Sequence, residues 1–188
     1  WKGRNLYDLY REAHTPWEWH RPIFARAKEL GITAFSSAFD ATAVDFLMSL
    51  DTPCFKVASF ENTDIPLLKK VAATGKPVIV STGTASEEEI RTAVDTLKAA
   101  GAKQLMILKC TSAYPAPMDA MNLATLESMA ECWPHCSRGL SDHTLGHTCA
   151  IVATALGATV IEKHFTLARS DGGPDAEFSA EPHEFAAM

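Results

Sequence analysis

Short apolar runs rich in β-branched and aromatic residues recur along the chain, separated by longer segments with Leu, Ala and Val at helical spacing. The runs at 32–36, 54–58, 77–81, 104–110, 137–141 and 159–164 predict strands. The spacing between them predicts helices over 16–30, 41–50, 65–74, 123–132 and 148–156, with another that starts at Ser86. This last one opens on Ser86-Glu87-Glu88-Glu89, a cap followed by acidic first-turn residues, and Gly101 stands just past its final apolar positions. Such βα alternation predicts parallel strands joined by helical crossovers, in either an open doubly wound sheet or a closed barrel.

The strand ends choose between the two. Polar residues terminate nearly every run: Ser36-Ser37, Ser59, Ser81-Thr82, Thr111-Ser112, Ser141-Asp142-His143 and His164. An open sheet gathers its ligand residues at one switch point, whereas a barrel collects every C-terminal strand end round one mouth. The even spread therefore predicts an α/β fold of the TIM (β/α)8 type, with about six of the eight βα units present. Neither a Gly-rich dinucleotide fingerprint nor a phosphate loop follows any strand. Residues 1–188 are expected to form a single barrel domain that lacks its first two βα units.

Composition narrows the classes of function. A chain of 188 residues with 47% hydrophobic and 21% charged content can bury one sizeable core. Its net charge of -6 and its scattered Lys and Arg argue against a nucleic-acid partner. No apolar run approaches the roughly 20 residues of a bilayer span. The opening Trp1-Lys2-Gly3-Arg4-Asn5 lacks the apolar core of a signal peptide, so the expected location is cytoplasmic. Five cysteines, an odd number irregularly placed, are expected to be reduced thiols. Cys132 and Cys136 with His143 and His147 superficially resemble a zinc finger, but the pairs are too close together and residues 139–141 between them read as a strand.

The candidate chemistry lies at the strand ends. His143 and His164 end the last two strands, and two imidazoles converging there make a divalent metal site with open positions for water and substrate. A lone His in such a place is ordinarily a satisfied core histidine, and it is the pairing that points to a metal. Glu162 shares a strand face with His164 and is positioned to orient a ligand. Lys56, Ser59, Ser81, Ser112 and Ser141 place hydroxyls and one ammonium round the mouth, which suits a phosphate and a carboxylate. Any one of these serines alone would read as a turn or cap residue. Asp171-Gly172-Gly173-Pro174-Asp175 reads as a surface turn from which Asp175 can reach over the mouth. Trp17, Trp19, His14 and His20 are expected to pack an early helix against the barrel.

At these residues the chain resembles the sialic acid synthases. The resemblance is carried by Phe55-Lys56-Val57-Ala58-Ser59, Val80-Ser81-Thr82-Gly83, Lys109-Cys110-Thr111-Ser112-Ala113-Tyr114-Pro115, Gly139-Leu140-Ser141-Asp142-His143-Thr144-Leu145-Gly146 and Ile161-Glu162-Lys163-His164-Phe165-Thr166, in order and spacing. It extends over essentially the whole chain. Residues 13–20 and 172–179 resemble the pseudaminic acid branch more than the neuraminic or legionaminic branches. The resemblance implies a metal-dependent transferase of carbohydrate biosynthesis that condenses phosphoenolpyruvate with an N-acetylated amino-sugar aldehyde, releasing phosphate and leaving a nine-carbon 2-keto acid. It implies that His143 and His164 hold manganese or magnesium. It further implies that Lys56, Ser59, Ser81 and Ser141 bind phosphoenolpyruvate with Ser37 nearby, and that Glu61, Tyr114 and Asp175 face the sugar.

Two departures weaken a strict transfer from the neuraminic branch: Ser112 stands where those enzymes have Asn, and Lys109 where they often have His. The family also carries an acidic residue and a Lys on its first two strands, and an antifreeze-like domain that lends an Arg to a partner subunit in a homodimer. These lie outside this sequence. Two other readings stay open: a Schiff-base aldolase with Lys109 as nucleophile, and a barrel fragment that binds ligand without turnover.

Overall fold

The computed structural model describes residues 5–188, so the reading of the chain's opening as devoid of a signal-peptide core rests on residues 1–4 outside the described part. In chain order the elements are α1 (Leu6–Ala13), α2 (Trp17–Glu29), α3 (Ala41–Ser49), β1 (Phe55–Val57), α4 (Ile65–Ala72), β2 (Val78–Ser81) and α5 (Glu87–Ala99). There follow β3 (Leu105–Cys110), α6 (Thr125–Cys132), β4 (Ser137–Asp142), α7 (Thr148–Ala155), β5 (Val160–Lys163) and α8 (Pro182–Ala187). Among the described residues five strands pair in sequence order, all parallel, with helices as crossovers. The result is a curled part of a TIM barrel.

Strand period two gives the sheet two chemically different faces. Val57, Val80 and Ile107 align in register on one face, as do Leu140 and Ile161. All five pack in the hydrophobic core with Leu67, Leu68 and Val71 of α4, Val94 and Leu97 of α5 and Leu126 of α6. The inward face carries Lys56 of β1, Ser81 of β2, Leu108 and Cys110 of β3, Gly139 and Ser141 of β4, and Glu162 of β5. Gly139 is needed there, because a Cβ would collide with the Val160 carbonyl and the Leu108 side chain. The signals read at the start of α5 form a capping box, in which Ser86 Oγ accepts from the Glu89 amide at 3.3 Å and Glu89 Oε2 from the Ser86 amide at 2.7 Å. Gly101 takes φ +105° beyond its end.

One predicted strand is not formed. Residues 32–36 make no ladder; their neighbourhood contributes only a parallel bridge between Ser37 and Lys56, with the Ala38 amide donating to Lys56 O at 3.3 Å. Among the described residues this segment has only the three-residue β1 beside it, too short a partner to zip a strand, and its apolar positions Ile32 and Phe35 stand 61% and 41% exposed. The six expected strands are therefore five plus a bridge. The early helix is also packed differently from the expectation. Trp17 stacks on Phe46 of α3 at 4.4 Å and His20 meets the same ring edge-on at 5.2 Å, while Trp19 and His14 are exposed. Among the described residues no helix is long and apolar enough to cross a membrane.

Candidate active site at the strand ends

The C-terminal ends of β4 and β5 bring the two predicted histidines together, with ring centroids 5.3 Å apart and edge to face. Register explains this: Ser141 pairs with Glu162, so the inward residues two positions further on, His143 and His164, rise side by side. His143 Nδ1 lies 3.0 Å from Thr111 O, a carbonyl that can only accept, so Nδ1 carries the proton and Nε2 keeps its lone pair. Burial alone would depress the His143 imidazole, but the Cys110 thiol and the Thr111 carbonyl, helped by charge on Glu162, hold it above its ordinary value. His164 moves the other way, lowered by burial and by His143 despite Asp175, whose Oδ2 lies 3.6 Å from Nδ1. Tyr114 lies against His143 at 4.4 Å and against Phe178 at 5.5 Å, and Phe178 lies 4.9 Å from His164. Burial, with charge on Cys110, pushes the Tyr114 phenol up to about 12.

The segment after β5 supplies one wall of this aromatic cluster. It returns to pair with the strand end through a Phe165–Ala180 bridge, with the Ala180 amide donating to His164 O at 2.8 Å and the Thr166 amide to Ala180 O at 3.0 Å. That pairing seats Phe178 and Asp175 on His164. The surface turn read from the glycines is thus the start of a docked strap.

Beside the histidines lies a polar cradle. Lys56, 7% exposed, reaches Glu162 Oε2 with Nζ at 3.4 Å, and Ser141 Oγ donates to Glu162 Oε1 at 2.7 Å. The carboxylate thus bridges β1 and β5 across the curl of the sheet. Ser59 Oγ accepts from the Gly83 amide at 3.1 Å, and a side chain on Gly83 would run into Ser112 Oγ, Ser59 Oγ and Cys110 Sγ. The three groups therefore converge where only glycine fits. Ser81 Oγ and Glu61 Oε2 are buried with no hydrogen-bond partner. Burial raises the Glu61 carboxyl, and the Lys56 charge offsets part of that effect. Ser37 reaches the edge of the cradle through its bridge to Lys56.

Cys110 and Lys163 carry no role in the sequence pattern, and Asp142, one of the polar strand ends expected at the mouth, turns away from it. Cys110 faces inward, with Sγ 3.8 Å from Ser112 Oγ and 4.0 Å from His143 Nδ1. Burial would raise that thiol, but hydrogen bonds from His143 and Ser59 bring it down to about 7. Period-two alternation from Ser112 would have found it. Asp142 and Lys163 alternate outward and form an ion pair of 2.8 Å, their side chains 0% and 4% exposed. Only the register of two strands distant in sequence reveals that pair.

Alternation also corrects the Schiff-base reading. Lys109 is paired in register with Leu140 on the helix-facing side, and its Nζ donates to Cys110 O at 3.1 Å and Thr111 Oγ1 at 3.0 Å. It does not line the mouth. The zinc-finger arrangement is equally excluded, since Cys136 precedes β4 and His143 follows it, separating them by about 20 Å at strand rise. Among the described residues no group of three or more His, Cys, Asp and Glu is gathered to hold an ion.

Residues 1–188 match the NeuB family. The pseudaminic acid synthase of Helicobacter pylori is 42% identical over 188 residues, covering 100% of this chain and 55% of that protein. The N,N'-diacetyllegionaminic acid synthase of Campylobacter jejuni is 42% identical over 167 residues, covering 88% of this chain and 50% of the other. Among solved structures, the N-acetylneuraminic acid synthetase of Leptospira borgpetersenii superposes with a TM-score of 0.92 at 33% identity, over 99% of this chain and 65% of that one. The chain thus spans about half the length of the curated relatives it matches.

Proposed function

The chain belongs to the NeuB family, and on that premise we propose that it is the barrel portion of a synthase joining phosphoenolpyruvate to an N-acetylated amino-sugar aldehyde. The observation that carries this reading is the inward cradle with unmet polar capacity. Ser81 Oγ is buried without a partner, and the buried Lys56 ammonium has a single carboxylate at 3.4 Å. Buried polar groups without partners are costly, at about 1–3 kcal/mol each, and a bound anion removes that cost. Lys56, Ser59, Ser81 and Ser141 hold the phosphate and carboxylate of phosphoenolpyruvate, with Ser112 and Ser37 at the margin. Holding both substrates in line turns a dilute encounter into a positioned reaction.

C3 of phosphoenolpyruvate uses its C2–C3 π pair to bond the aldehyde carbon, whose oxygen takes up a proton; water adds at the cationic C2 and loses a proton, and the C2–O bond to phosphate breaks as the new C2 hydroxyl gives up its proton and becomes the keto group of a 2-keto acid. Glu61, in its ionised form, takes the proton of that water on Oε2, a buried oxygen without a partner, and burial raises its carboxyl and so its basicity. Tyr114 and Phe178 exclude bulk water from the aldehyde side, and Asp175 bonds the sugar hydroxyls. His143 and His164 are suited to hold a divalent ion, manganese or magnesium, because the Thr111 carbonyl fixes the His143 tautomer and leaves Nε2 as a ligand. When bound, such an ion supplies positive charge that polarises the aldehyde. Other ligands would be water, substrate or groups outside the described residues.

For the sugar, we favour the doubly acetamido, trideoxy altrose precursor of pseudaminic acid, supported by the resemblance of residues 172–179, among which Phe178 packs on His164. The full-length enzyme would be homodimeric and cytoplasmic. Mass spectrometry of products formed from phosphoenolpyruvate and each candidate sugar tests both levels of the proposal. A nine-carbon 2-keto acid from the altrose sugar is expected; equal turnover of N-acetylmannosamine overturns the branch, and no condensation with any amino sugar overturns the synthase.

A further inference from the structure

Behind the two histidines, on the opposite face of the same strands, the side chains of Asp142 and Lys163 are 0% and 4% exposed. Each immediately precedes one of the histidines. Asp142 Oδ2 lies 2.8 Å from Lys163 Nζ, while Oδ1 accepts from the Thr144 amide at 2.9 Å and from Thr144 Oγ1 at 2.7 Å. Lys163 Nζ donates again to Thr144 O at 2.7 Å. Thr144, 0% exposed, is therefore tied through its amide, carbonyl and hydroxyl to one ion pair. His143 lies between two residues of this knot, and its own carbonyl accepts from the Ala116 amide at 2.9 Å.

We propose that Asp142, Lys163 and Thr144 form a positioning lock that sets the separation and aim of the His143 and His164 rings. The inference deepens the proposed function and rests on it. A buried ion pair contributes little net stability compared with well-packed apolar residues of similar volume. What it does contribute is a fixed geometry, since both charges must meet each other and the remaining donors or be left unpaired. β4 and β5 are otherwise held at this level by parallel ladder bonds, which allow small changes of strand twist and turn conformation. Such changes would swing two adjacent imidazoles apart. Locking residues 142 and 144 to residue 163 removes that freedom on both sides of His143 at once.

The test uses the full-length protein, with Mn2+ binding measured by electron paramagnetic resonance without substrates and folding followed by thermal melting. Asp142→Asn with Lys163→Met replaces the pair by a neutral one of similar volume, in which the Asn oxygen still accepts from the Thr144 amide. This double variant is expected to fold, to weaken Mn2+ binding by roughly tenfold or more, as loss of outer supporting groups commonly does, and to lower kcat more than it raises KM for phosphoenolpyruvate. Thr144→Val keeps the ion pair and is expected to lose only a few-fold in Mn2+ affinity, so the lock can still be tested if the double variant fails to fold. A folded double variant, or failing that a folded Thr144→Val, with Mn2+ affinity and kcat within twofold of the parent overturns the lock. If the parent and His143→Gln bind Mn2+ equally, the metal reading on which the lock rests has failed instead.

Discussion

The two faces of this small sheet are built from the same strands and differ in almost everything else. The helix-facing side is apolar at its centre, where Val57, Val80, Ile107 and Leu140 are each 3% exposed or less, and its charged residues Lys109, Asp142 and Lys163 stand towards the C-terminal strand ends. The inward side carries an ammonium, a carboxylate, a thiol and several hydroxyls, ending on two imidazoles. The apolar face holds the strands in place. The polar face carries unmet hydrogen bonds and opposed titrations, with His143 raised and His164 lowered. Below the strand ends, residues one position apart in a strand should therefore respond to substitution in opposite ways, one through folding and the other through turnover.

The sharpest contrast is expected at the strand ends. His143→Gln or His164→Gln removes a nitrogen donor but little volume, so turnover should fall by roughly three orders of magnitude or more, the equivalent of several kcal/mol of lost charge stabilisation. Melting should change little, and excess manganese should not restore activity. On the apolar face, Ile107→Ala should cost about 2–5 kcal/mol of stability and leave the kcat of the remaining folded enzyme unchanged, as read from denaturant titration and active-site-normalised rates. A matching loss of kcat there would dissolve the distinction between the faces.

Smaller effects refine the comparison. Ser81→Ala deletes a buried hydroxyl that has no partner in the free protein, so stability should hold or rise while KM for phosphoenolpyruvate increases by about tenfold, the low end for one hydrogen bond to a charged group. The smallest signal is a pH dependence at Glu61. Burial raises its folded pKa, so folding favours the protonated form, and the stability this contributes is complete below the unfolded carboxyl value and lost as pH rises through the folded one. The melting temperature of Glu61→Gln relative to the parent should start near zero difference at pH 4 and turn positive towards pH 7. A constant difference across that range would mean that Glu61 is not held in its protonated form by folding.

Much of this was legible in the chain itself. The βα alternation, the α5 capping box and its Gly101 stop, and the polar residues at strand ends are local signals, each written within a few consecutive positions, and the structure keeps them. The pairing of His143 with His164 was also legible, because adjacent parallel strands bring their ends together whatever the side chains between them. Residues 32–36 misled for the complementary reason. Their apolar pattern is that of a strand, but a strand exists only with a partner, and β1 offers them one bridge.

Tertiary structure alone decided the rest. Lys109 and Cys110 are neighbours in sequence, and only strand register sends the lysine outward and the thiol towards His143. Asp142 and Lys163 find each other through the pairing of β4 with β5, and Glu162 finds Lys56 only because the sheet curls until its first and last strands face one another. The sequence by itself determined which residue types stand at the strand ends, since that information is periodic and local. Which charges meet, and which polar groups are left waiting for a ligand, depends on distances across the curl, and no window along the chain contains them.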